Sequence, residues 1–214
     1  MTNAIQVNGL RKSYGEKEVL KGIDLCVRRG DIFALLGVNG AGKTTTLECI
    51  EGLRKHDGGS ISVNGSIGIQ LQSAALPAHI KGLEAVRLFS KWNRTNADAS
   101  MLAALGADSI ANQQYQEMST GQKRRLHLAL ALIRNPDIVF LDEPTAGLDV
   151  EGRISLHEYI RNLKGQGKTI VLASHDMAEV ESLCDSIAIL RDGEIAFAGT
   201  VIALNEKIGR HYNI

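Results

Sequence analysis

The chain has 214 residues, enough for one sizeable domain or for a core with an appended subdomain, but not for two independent domains of ordinary size. Lys and Arg together number 24, as do Asp and Glu, so the formal charge is zero and a wide basic footprint for nucleic acid is not supported. No apolar run approaches the roughly 20 residues that a membrane-spanning helix needs. We therefore expect a folded cytosolic chain. If it serves a membrane, it does so through a partner.

The three cysteines are Cys26, Cys49 and Cys184, which are widely spaced and odd in number. Neither a disulfide framework nor a zinc site is expected from this spacing. We predict buried, reduced thiols.

The first predicted elements are half-exposed antiparallel strands. Ile23, Leu25 and Val27 alternate with polar neighbours, and so do Ile61 and Val63. Alternation with period two is typical of a strand with one buried face.

Four short apolar runs without polar alternation predict strands that are buried on both faces. They are Ile32–Leu36, Ile138–Leu141, Thr169–Ala173 and Ile187–Leu190. Helix-period segments separate them, so the fold class is α/β, with a parallel sheet flanked by helices. The dipeptides Asn64-Gly65 and Asp192-Gly193 predict hairpin turns.

The middle of the chain is predicted to be helical, since no convincing strand is found between about residues 78 and 135. The helical segments are Leu83–Phe89, Met101–Leu105 and Ser119–Arg134. Pro136 prevents the last of these helices from continuing. We expect residues 1–76 and 136–214 to form a core, and residues 77–135 to form an inserted helical subdomain.

A glycine-rich loop follows the predicted strand Ile32–Leu36 and precedes a predicted helix. Its residues are Gly37, Val38, Asn39, Gly40, Ala41, Gly42, Lys43 and Thr44, followed by Thr45. Glycines let backbone N–H groups turn toward phosphate oxygens, and the helix N-terminus adds positive potential. In this pattern Lys43 reaches the β- and γ-phosphates and Thr44 can hold Mg²⁺. The loop is predicted to bind phosphate.

Two carboxylates, Asp142 and Glu143, follow the predicted strand Ile138–Leu141. Ligands of open α/β sheets bind at the carboxyl ends of the strands. Asp142 is suited to holding Mg²⁺ through bound water, and Glu143 to orienting and deprotonating an attacking water. Such a pair alone is more often part of a solvated loop, but the phosphate loop favours the catalytic interpretation.

Four motifs in this order resemble the nucleotide-binding domain of ABC transporters. They are the phosphate loop, Met118–Gln122, Leu141–Asp149 and Ser174–Asp176. The resemblance covers nearly the whole chain. It implies a P-loop NTPase fold with a RecA-like parallel core, an N-terminal antiparallel β layer and a helical subdomain. It also implies that the chain binds ATP and Mg²⁺, dimerises, and works with a separate polytopic membrane subunit.

By this resemblance, Ser119, Gly121 and Gln122 contact the γ-phosphate of ATP held by the opposite protomer. The family usually has Gly where this chain has Thr120, which leaves the effect of that residue open. Ser119 and Gln122 also form a capping-box pattern. The two interpretations are compatible because a capped helix N-terminus is an anion site.

Further roles are implied at three residues. His175 resembles the histidine that hydrogen-bonds the γ-phosphate and helps to fix the attacking water. Asp149 matches the loop that links the two nucleotide sites of a dimer, and a helix N-cap is a compatible explanation. Tyr14 corresponds to the aromatic residue that stacks on adenine, the alternative being an ordinary surface tyrosine.

The glutamine that senses the γ-phosphate and Mg²⁺ is Gln70 or Gln72, which lie on the same side of an extended segment. We choose Gln72, since Leu76 then fits the family's run into the helical subdomain, and Gln70 becomes part of a strand. The short connection Val63–Ile67 predicts a trimmed hairpin.

The basic run Lys123–Arg125 is interpreted as a solvated helix face rather than a nucleic-acid site, because the net charge is zero. Leu83, Val86 and Leu88-Phe89 form either a docking groove for a partner helix or part of the core, and the sequence does not choose between these.

Three functions remain: an ATPase subunit of a membrane transporter, a soluble ABC-type ATPase, and a nucleotide-binding module without turnover. Glu143 and His175 disfavour the third. The single nucleotide-binding unit disfavours repair and translation but leaves cluster assembly open. Gly40–Leu47, Glu51–Leu53 and Ile69–Gln72 look most like the multidrug, antibiotic or polysaccharide efflux subgroup. We expect an ATPase at the cytoplasmic face of the membrane that drives export as a homodimer or heterodimer.

Overall fold

The structure, a computed structural model, describes residues 2–70, 76–97, 99–104 and 106–212. The strands are β1 (Asn3–Tyr14), β2 (Lys17–Arg28), β3 (Ile32–Leu36), β4 (Gly58–Val63), β5 (Ile67–Gln70), β6 (Ile138–Asp142), β7 (Thr169–Ser174), β8 (Ser186–Arg191) and β9 (Glu194–Thr200). The helices are α1 (Lys43–Ile50), α2 (Gly82–Trp92), α3 (Ala99–Ala104), α4 (Thr120–Leu132), α5 (Val150–Gly165), α6 (Met177–Leu183) and α7 (Val201–Tyr212). Two 3₁₀ turns are formed by Ala107–Ile110 and Tyr115–Glu117.

The central sheet has six strands in the order β5-β6-β7-β3-β8-β9, and all of them are parallel except β9. The four strands predicted from apolar runs are confirmed as β3, β6, β7 and β8. Leu36 pairs with Ser174, and Asp142 pairs with Ala173. The carboxyl ends of β3, β6 and β7 therefore meet at one edge of the sheet, where ligands of this fold class bind.

The second sheet is antiparallel and has the order β2-β1-β4. It confirms the half-exposed layer predicted from β2 and β4. Strand β1 is not predicted by the sequence pattern, because its pairing register with β2 shifts between Val7 and Leu10, around Gly9 at φ 59°. The shift interrupts the alternation of buried and exposed residues that reveals a strand.

The dipeptide Asn64-Gly65 does not form the predicted hairpin, since β4 belongs to the antiparallel sheet and β5 to the central sheet. The chain instead crosses between the sheets, and a Cβ added to Gly65 would lie only 2.9 Å from Cβ of Asp137. The Asp137 carboxylate fixes the crossing by accepting from the amide and hydroxyl of Ser66 at 2.8 and 2.7 Å. The hairpin at Asp192-Gly193 is confirmed between β8 and β9.

The helices cover both faces of the central sheet. Leu47 and Ile50 of α1 pack with Phe140 in the core between the two sheets. On the opposite face, α4, α5, α6 and α7 contribute apolar side chains to a second core. This is the layered arrangement expected of an α/β fold.

A third apolar cluster joins α2 and α4 through residues such as Val86 and Leu130. Helix α4 is shared, because its Leu128 faces the sheet core while Leu126 faces the helical cluster. Within the described ranges between residues 77 and 135 there is no strand, only one isolated bridge between Lys81 and Gln114. No helix of the described chain is both long and apolar enough to cross a bilayer.

The expectation of buried thiols is correct for Cys49 but wrong for Cys26, which is exposed, while Cys184 is partly buried. Cys26 lies between Leu25 and Val27, whose side chains face the core. Alternation along β2 therefore directs the Cys26 side chain toward solvent.

Candidate nucleotide site

The phosphate loop spans the gap between β3, which ends at Leu36, and α1, which begins at Lys43. Gly40 has φ 82°, and Gly42, which caps α1, has φ 109°, a region that side chains disfavour. A Cβ on Gly37 would lie 2.6 Å from the carbonyl oxygen of Leu190. Gly37 is therefore required by close packing, and Gly40 and Gly42 are required by their backbone conformation. Together they bring the first amides of α1 to the carboxyl edge of the sheet.

Lys43 is buried within its own loop, with 6% of its surface exposed. Its Nζ donates to the carbonyl oxygens of Gly37 at 2.7 Å and Val38 at 3.3 Å, and it lies 3.9 Å from Oε1 of Glu143. A sheltered ammonium group with three donors is well suited to polyphosphate oxygens, which would replace the carbonyl contacts.

The pair Thr44 and Asp142 offers oxygen ligands for a cation. Thr44 Oγ1 donates to Oδ2 of Asp142 at 3.1 Å, whereas the buried Oδ1 of Asp142 has no hydrogen-bond partner. Burial raises the pKa of Asp142, the charge of Glu143 adds to the rise, and the Thr44 hydrogen bond opposes it. An unpartnered buried carboxylate oxygen fits a site that is completed by a divalent cation.

A further acidic side chain, Glu51, lies close enough to Asp142 for the two carboxyl groups to interact. Burial raises the pKa of Glu51 to about 7, and Asp142 and Glu48 contribute to the increase. The described chain has no group of three or more His, Cys, Asp or Glu residues that could hold a metal by themselves. A cation at Thr44 and Asp142 would therefore need phosphate oxygens and water, which is how Mg²⁺ is commonly bound.

Glu143 and His175 meet at the ends of neighbouring strands. Nδ1 of His175 lies 2.9 Å from Oε1 of Glu143, and the Glu143 amide donates to the carbonyl of Ala173 at 3.0 Å. Glu143 has φ 48°, an uncommon conformation for a non-glycine residue that is often found at functional sites. The structure thus brings Lys43, Thr44, Asp142, Glu143 and His175 together.

Tyr14 lies at the end of β1 with 43% of its surface exposed. Its ring centroid is 5.6 Å from Nζ of Lys12 and 5.3 Å from Cζ of Arg54. Tyr14 was predicted from the sequence, but these two cations were not. Lys12 had a local signal, since residues two apart lie on the same face of a strand, whereas Arg54 approaches from the segment after α1 and had none.

Ser119, Thr120, Gly121 and Asp149 line a different cleft of about 680 Å³ between α4 and α5. The residues that line it, all in the described part of the chain, include none from the phosphate loop. The predicted capping box is confirmed: Ser119 Oγ accepts from the Gln122 amide at 3.2 Å, and Gln122 Oε1 accepts from the Ser119 amide at 2.8 Å.

Thr120 packs against the loop that leads to Asp149. A Cβ added to Gly147, which has φ 76°, would lie 3.3 Å from Cγ2 of Thr120. Asp149 caps α5, since its Oδ1 accepts from the Gly152 amide at 2.8 Å. Thr120, which stands where the family usually has Gly, therefore packs against a loop of its own chain.

Gln72 lies outside the described residues. Gln70 is the last residue of β5, as expected, and pairs with Leu141. It is 2% exposed, and its amide atoms have no hydrogen-bond partner in the described chain. The choice of Gln72 remains a prediction.

The family model for ABC transporters matches residues 20–146, which include the phosphate loop and Glu143. The chain belongs to the ABC transporter family. Curated relatives in this family include the linearmycin resistance ATP-binding protein LnrL of Bacillus subtilis, which is 35% identical over 96% of this chain and 72% of its own length. The Nod factor export ATP-binding protein I of Burkholderia orbicola is 36% identical over 95% of this chain and 73% of its own length.

Solved structures of ABC proteins have the same fold. An ATP-binding subunit of an ABC transporter superposes with a TM-score of 0.85 at 27% identity, covering 96% of this chain and 93% of that chain. A nucleotide-free ATP-binding cassette gives a TM-score of 0.87 at 20% identity, covering 97% and 96%. The predicted P-loop NTPase fold is therefore confirmed.

Membership of the family also confirms the predicted activity class. The chain is an ABC-type ATP-binding subunit, and the family's members are ATPases coupled to transport. Such subunits generally dimerise and work with membrane subunits. The roles of individual residues remain predictions.

Proposed function

We propose that this ABC protein is the MgATP-hydrolysing subunit of an exporter and acts through a separate membrane subunit. The observation that carries the proposal is the convergence of Lys43, Glu143 and His175, with 2.9 Å between His175 Nδ1 and Glu143 Oε1. A carboxylate and an imidazole beside a phosphate loop can move a proton and stabilise charge in the same place.

Nucleotide binding begins at the loop. The Nζ of Lys43 exchanges the Gly37 carbonyl for β- and γ-phosphate oxygens, while the first amides of α1 hold the phosphates. Adenine stacks on the exposed ring of Tyr14, and the guanidinium group of Arg54 lies beside the same ring.

Thr44 and Asp142 would hold Mg²⁺ together with phosphate oxygens, and Gln72 is proposed as a further ligand. The buried Oδ1 of Asp142, which has no hydrogen-bond partner, supports this assignment. Mg²⁺ would neutralise charge on the β- and γ-phosphates.

Glu143 orients the attacking water and accepts its proton as the water oxygen bonds to the γ-phosphorus. The bond to the β–γ bridging oxygen breaks, which leaves ADP and phosphate. His175 hydrogen-bonds the γ-phosphate and fixes the water, while Lys43 stabilises the transferred group.

The second half of each site comes from a partner. Ser119, Gly121 and Gln122 contact the γ-phosphate held by the opposite protomer, and Asp149 links the two sites. The separation of their cleft from the phosphate loop within one chain supports this arrangement. A head-to-tail homodimer encloses two nucleotides, and a heterodimer with a sister subunit would use the same contacts.

The membrane subunit docks on α2. Val86 is buried and Phe89 is partly buried against the helical cluster, so they belong to the core, but Leu88 and Trp92 are 51% and 77% exposed. Leu88 and Trp92 are four residues apart and thus share a helix face. We propose that this face contacts the membrane subunit on the cytoplasmic side.

Export is favoured by the relatives, whose names specify linearmycin and daunorubicin resistance and Nod factor export. The test has two measurements. The protein should release phosphate from MgATP, and Glu143→Gln should abolish release while Glu158→Gln, an exposed change on α5, should not.

The protein should also be recovered with a polytopic membrane protein in the membrane fraction. Recovery only in a soluble complex would favour the alternative, a soluble ABC-type ATPase such as one for cluster assembly. Absence of hydrolysis in the wild type, tested with a partner present, would contradict the ATPase assignment.

A further inference from the structure

Glu179, the third residue of α6, is a buried carboxylate with 5% of its surface exposed. Its Oε2 accepts from the Ser174 hydroxyl at 2.6 Å, and its Oε1 lies 3.4 Å from Nε2 of His157 on α5. The side chain of Thr145 lines the same small cleft as His157 and Glu179, and it also lowers the pKa of this carboxylate. Three side chains from three separate segments thus converge on one acidic group.

The environment favours the ionised carboxylate. Burial by itself raises the pKa of Glu179, but the hydrogen bonds to His157 and Ser174 and the nearby Thr145 side chain outweigh this effect and hold the pKa below its ordinary value. Burying a charge is costly unless donors satisfy it, so these three contacts belong together. Removing the charge would leave donors unpaired.

Two of these donors stand beside the proposed catalytic residues. Ser174 immediately precedes His175, and its Oγ also accepts from the Asp176 amide at 3.0 Å. Thr145 lies two residues after Glu143, at the start of the loop to Asp149. Glu179 therefore lies between the loop that carries Glu143 and the loop that carries His175, and its described hydrogen bonds go to neither of those two side chains.

We propose that Glu179 is a positioning residue, which holds the two loops so that Glu143 and His175 keep the separation needed for hydrolysis. His157 completes the arrangement by facing the second carboxylate oxygen. The proposal rests on the proposed hydrolytic function. It adds a residue that acts on turnover rather than on nucleotide affinity, because neither Glu179 nor its partners belong to the phosphate loop.

Glu179→Gln is the informative substitution, since it keeps the size but removes an acceptor. We expect kcat for MgATP to fall about 10- to 100-fold, as small misplacements of catalytic groups do, while Kd for MgATP changes less than about threefold. Glu179→Asp keeps the charge and should retain more activity than Glu179→Gln. Isothermal titration and phosphate release measure the two quantities separately.

Asp137→Asn is the matched control. Asp137 is also a carboxylate that accepts from a serine hydroxyl, at 2.7 Å from Ser66, but it lies before β6, at the opposite end of that strand from Glu143. Its substitution should lower the melting temperature and leave kcat unchanged. An equal fall of kcat in Asp137→Asn would overturn the proposal, because the effect would then be general destabilisation.

Two further variants keep the test decisive if Glu179→Gln does not fold. Ser174→Ala and Thr145→Val each remove one donor, and each should lower kcat several-fold with Kd maintained. Unchanged kcat in both, or in a folded Glu179→Gln protein, would overturn the positioning role. Such a result is distinguishable from failure of the proposed function, in which the wild type itself would not hydrolyse MgATP.

Discussion

The Nδ1 atom of His175 lies 2.9 Å from Oε1 of Glu143, across the ends of the adjacent strands β6 and β7. The same Oε1 is 3.9 Å from the ammonium group of Lys43. One carboxylate oxygen therefore faces both of the groups that would bind the γ-phosphate. Binding of a triphosphate would engage Lys43 and His175 and would leave Glu143 available to the attacking water.

His175→Ala should lower turnover about 100-fold or more while MgATP still binds, because the change removes one donor to charge that develops in the transition state. Steady-state phosphate release and equilibrium titration measure the two effects. His79→Ala, an exposed change before α2, is the control and should be silent. A His175→Ala protein with normal turnover would show that the imidazole does not take part.

Lys43→Ala should weaken MgATP binding about 100-fold or more, since charge-assisted hydrogen bonds contribute about 1.5–3 kcal/mol each. Equilibrium titration with ATP gives the affinity. Lys55→Ala removes an exposed lysine shortly after α1 and should leave the affinity unchanged. Equal affinity of the wild type and Lys43→Ala would refute the assignment of the phosphate loop.

Tyr14→Ala should weaken adenine-nucleotide binding by about 1–3 kcal/mol, the usual contribution of a base stacked on an aromatic ring. Tyr14→Phe keeps the ring and should bind nearly as the wild type does. The comparison requires affinities for ATP in all three proteins. If Tyr14→Ala binds normally, Lys12 and Arg54 or other residues hold the base without the ring.

His127 should make stability depend on pH. It is 8% exposed, stacks on Tyr115, and has its Nε2 3.1 Å from the Tyr115 hydroxyl. Burial lowers its pKa below the ordinary value of 6.5, and Arg124 and Lys123 lower it further. The unfolded chain therefore binds the proton more readily, so this residue reduces stability as the pH falls below 6.5.

The measurement is the melting temperature at pH 7.5 and 5.5. The wild type should lose more stability over this interval than His127→Gln does, whatever the absolute stability of the variant. His56→Gln, at an exposed site, should keep the wild-type difference. Identical pH dependence in wild type and His127→Gln would mean that His127 titrates equally in the folded and unfolded states.

The shared site predicts complementation between two inactive proteins. Ser119→Arg disrupts the contact that a protomer makes to the nucleotide held by its partner, whereas Lys43→Ala disrupts the phosphate loop of the protomer that carries it. In a dimer of one Ser119→Arg chain and one Lys43→Ala chain, one nucleotide site carries both changes and the other site carries neither. Some MgATP hydrolysis should therefore return on mixing, because the intact site has every residue it needs.

The dimer itself should be stabilised by ATP when Glu143→Gln blocks turnover, and light scattering measures this. The control for complementation is each inactive protein alone. No recovery in demonstrated heterodimers would mean that the shared-site arrangement fails or that the two sites are obligately coupled. Full activity in a strictly monomeric preparation would decide against a shared site.

Several features were determined by sequence because each is local. The phosphate loop is one uninterrupted segment, and Asp142 and Glu143 directly follow an apolar strand. The capping box of Ser119 and Gln122 spans only three residues. Where neighbouring residues specify both the conformation and the chemistry, the pattern can be identified without knowledge of distant contacts.

Other features were decided by tertiary structure. The turn at Asn64-Gly65 has hairpin residues, but it joins two sheets because β5 pairs with β6 more than 60 residues away. Glu179 contacts His157, which is 22 positions away in the sequence, and no local pattern predicts that contact. The 2.9 Å approach of His175 to Glu143 likewise depends on β6 and β7 lying side by side. Sequence specified which groups the site contains, but pairing between distant strands and helices decided which of them meet, because burial and hydrogen bonding are satisfied only in the packed chain.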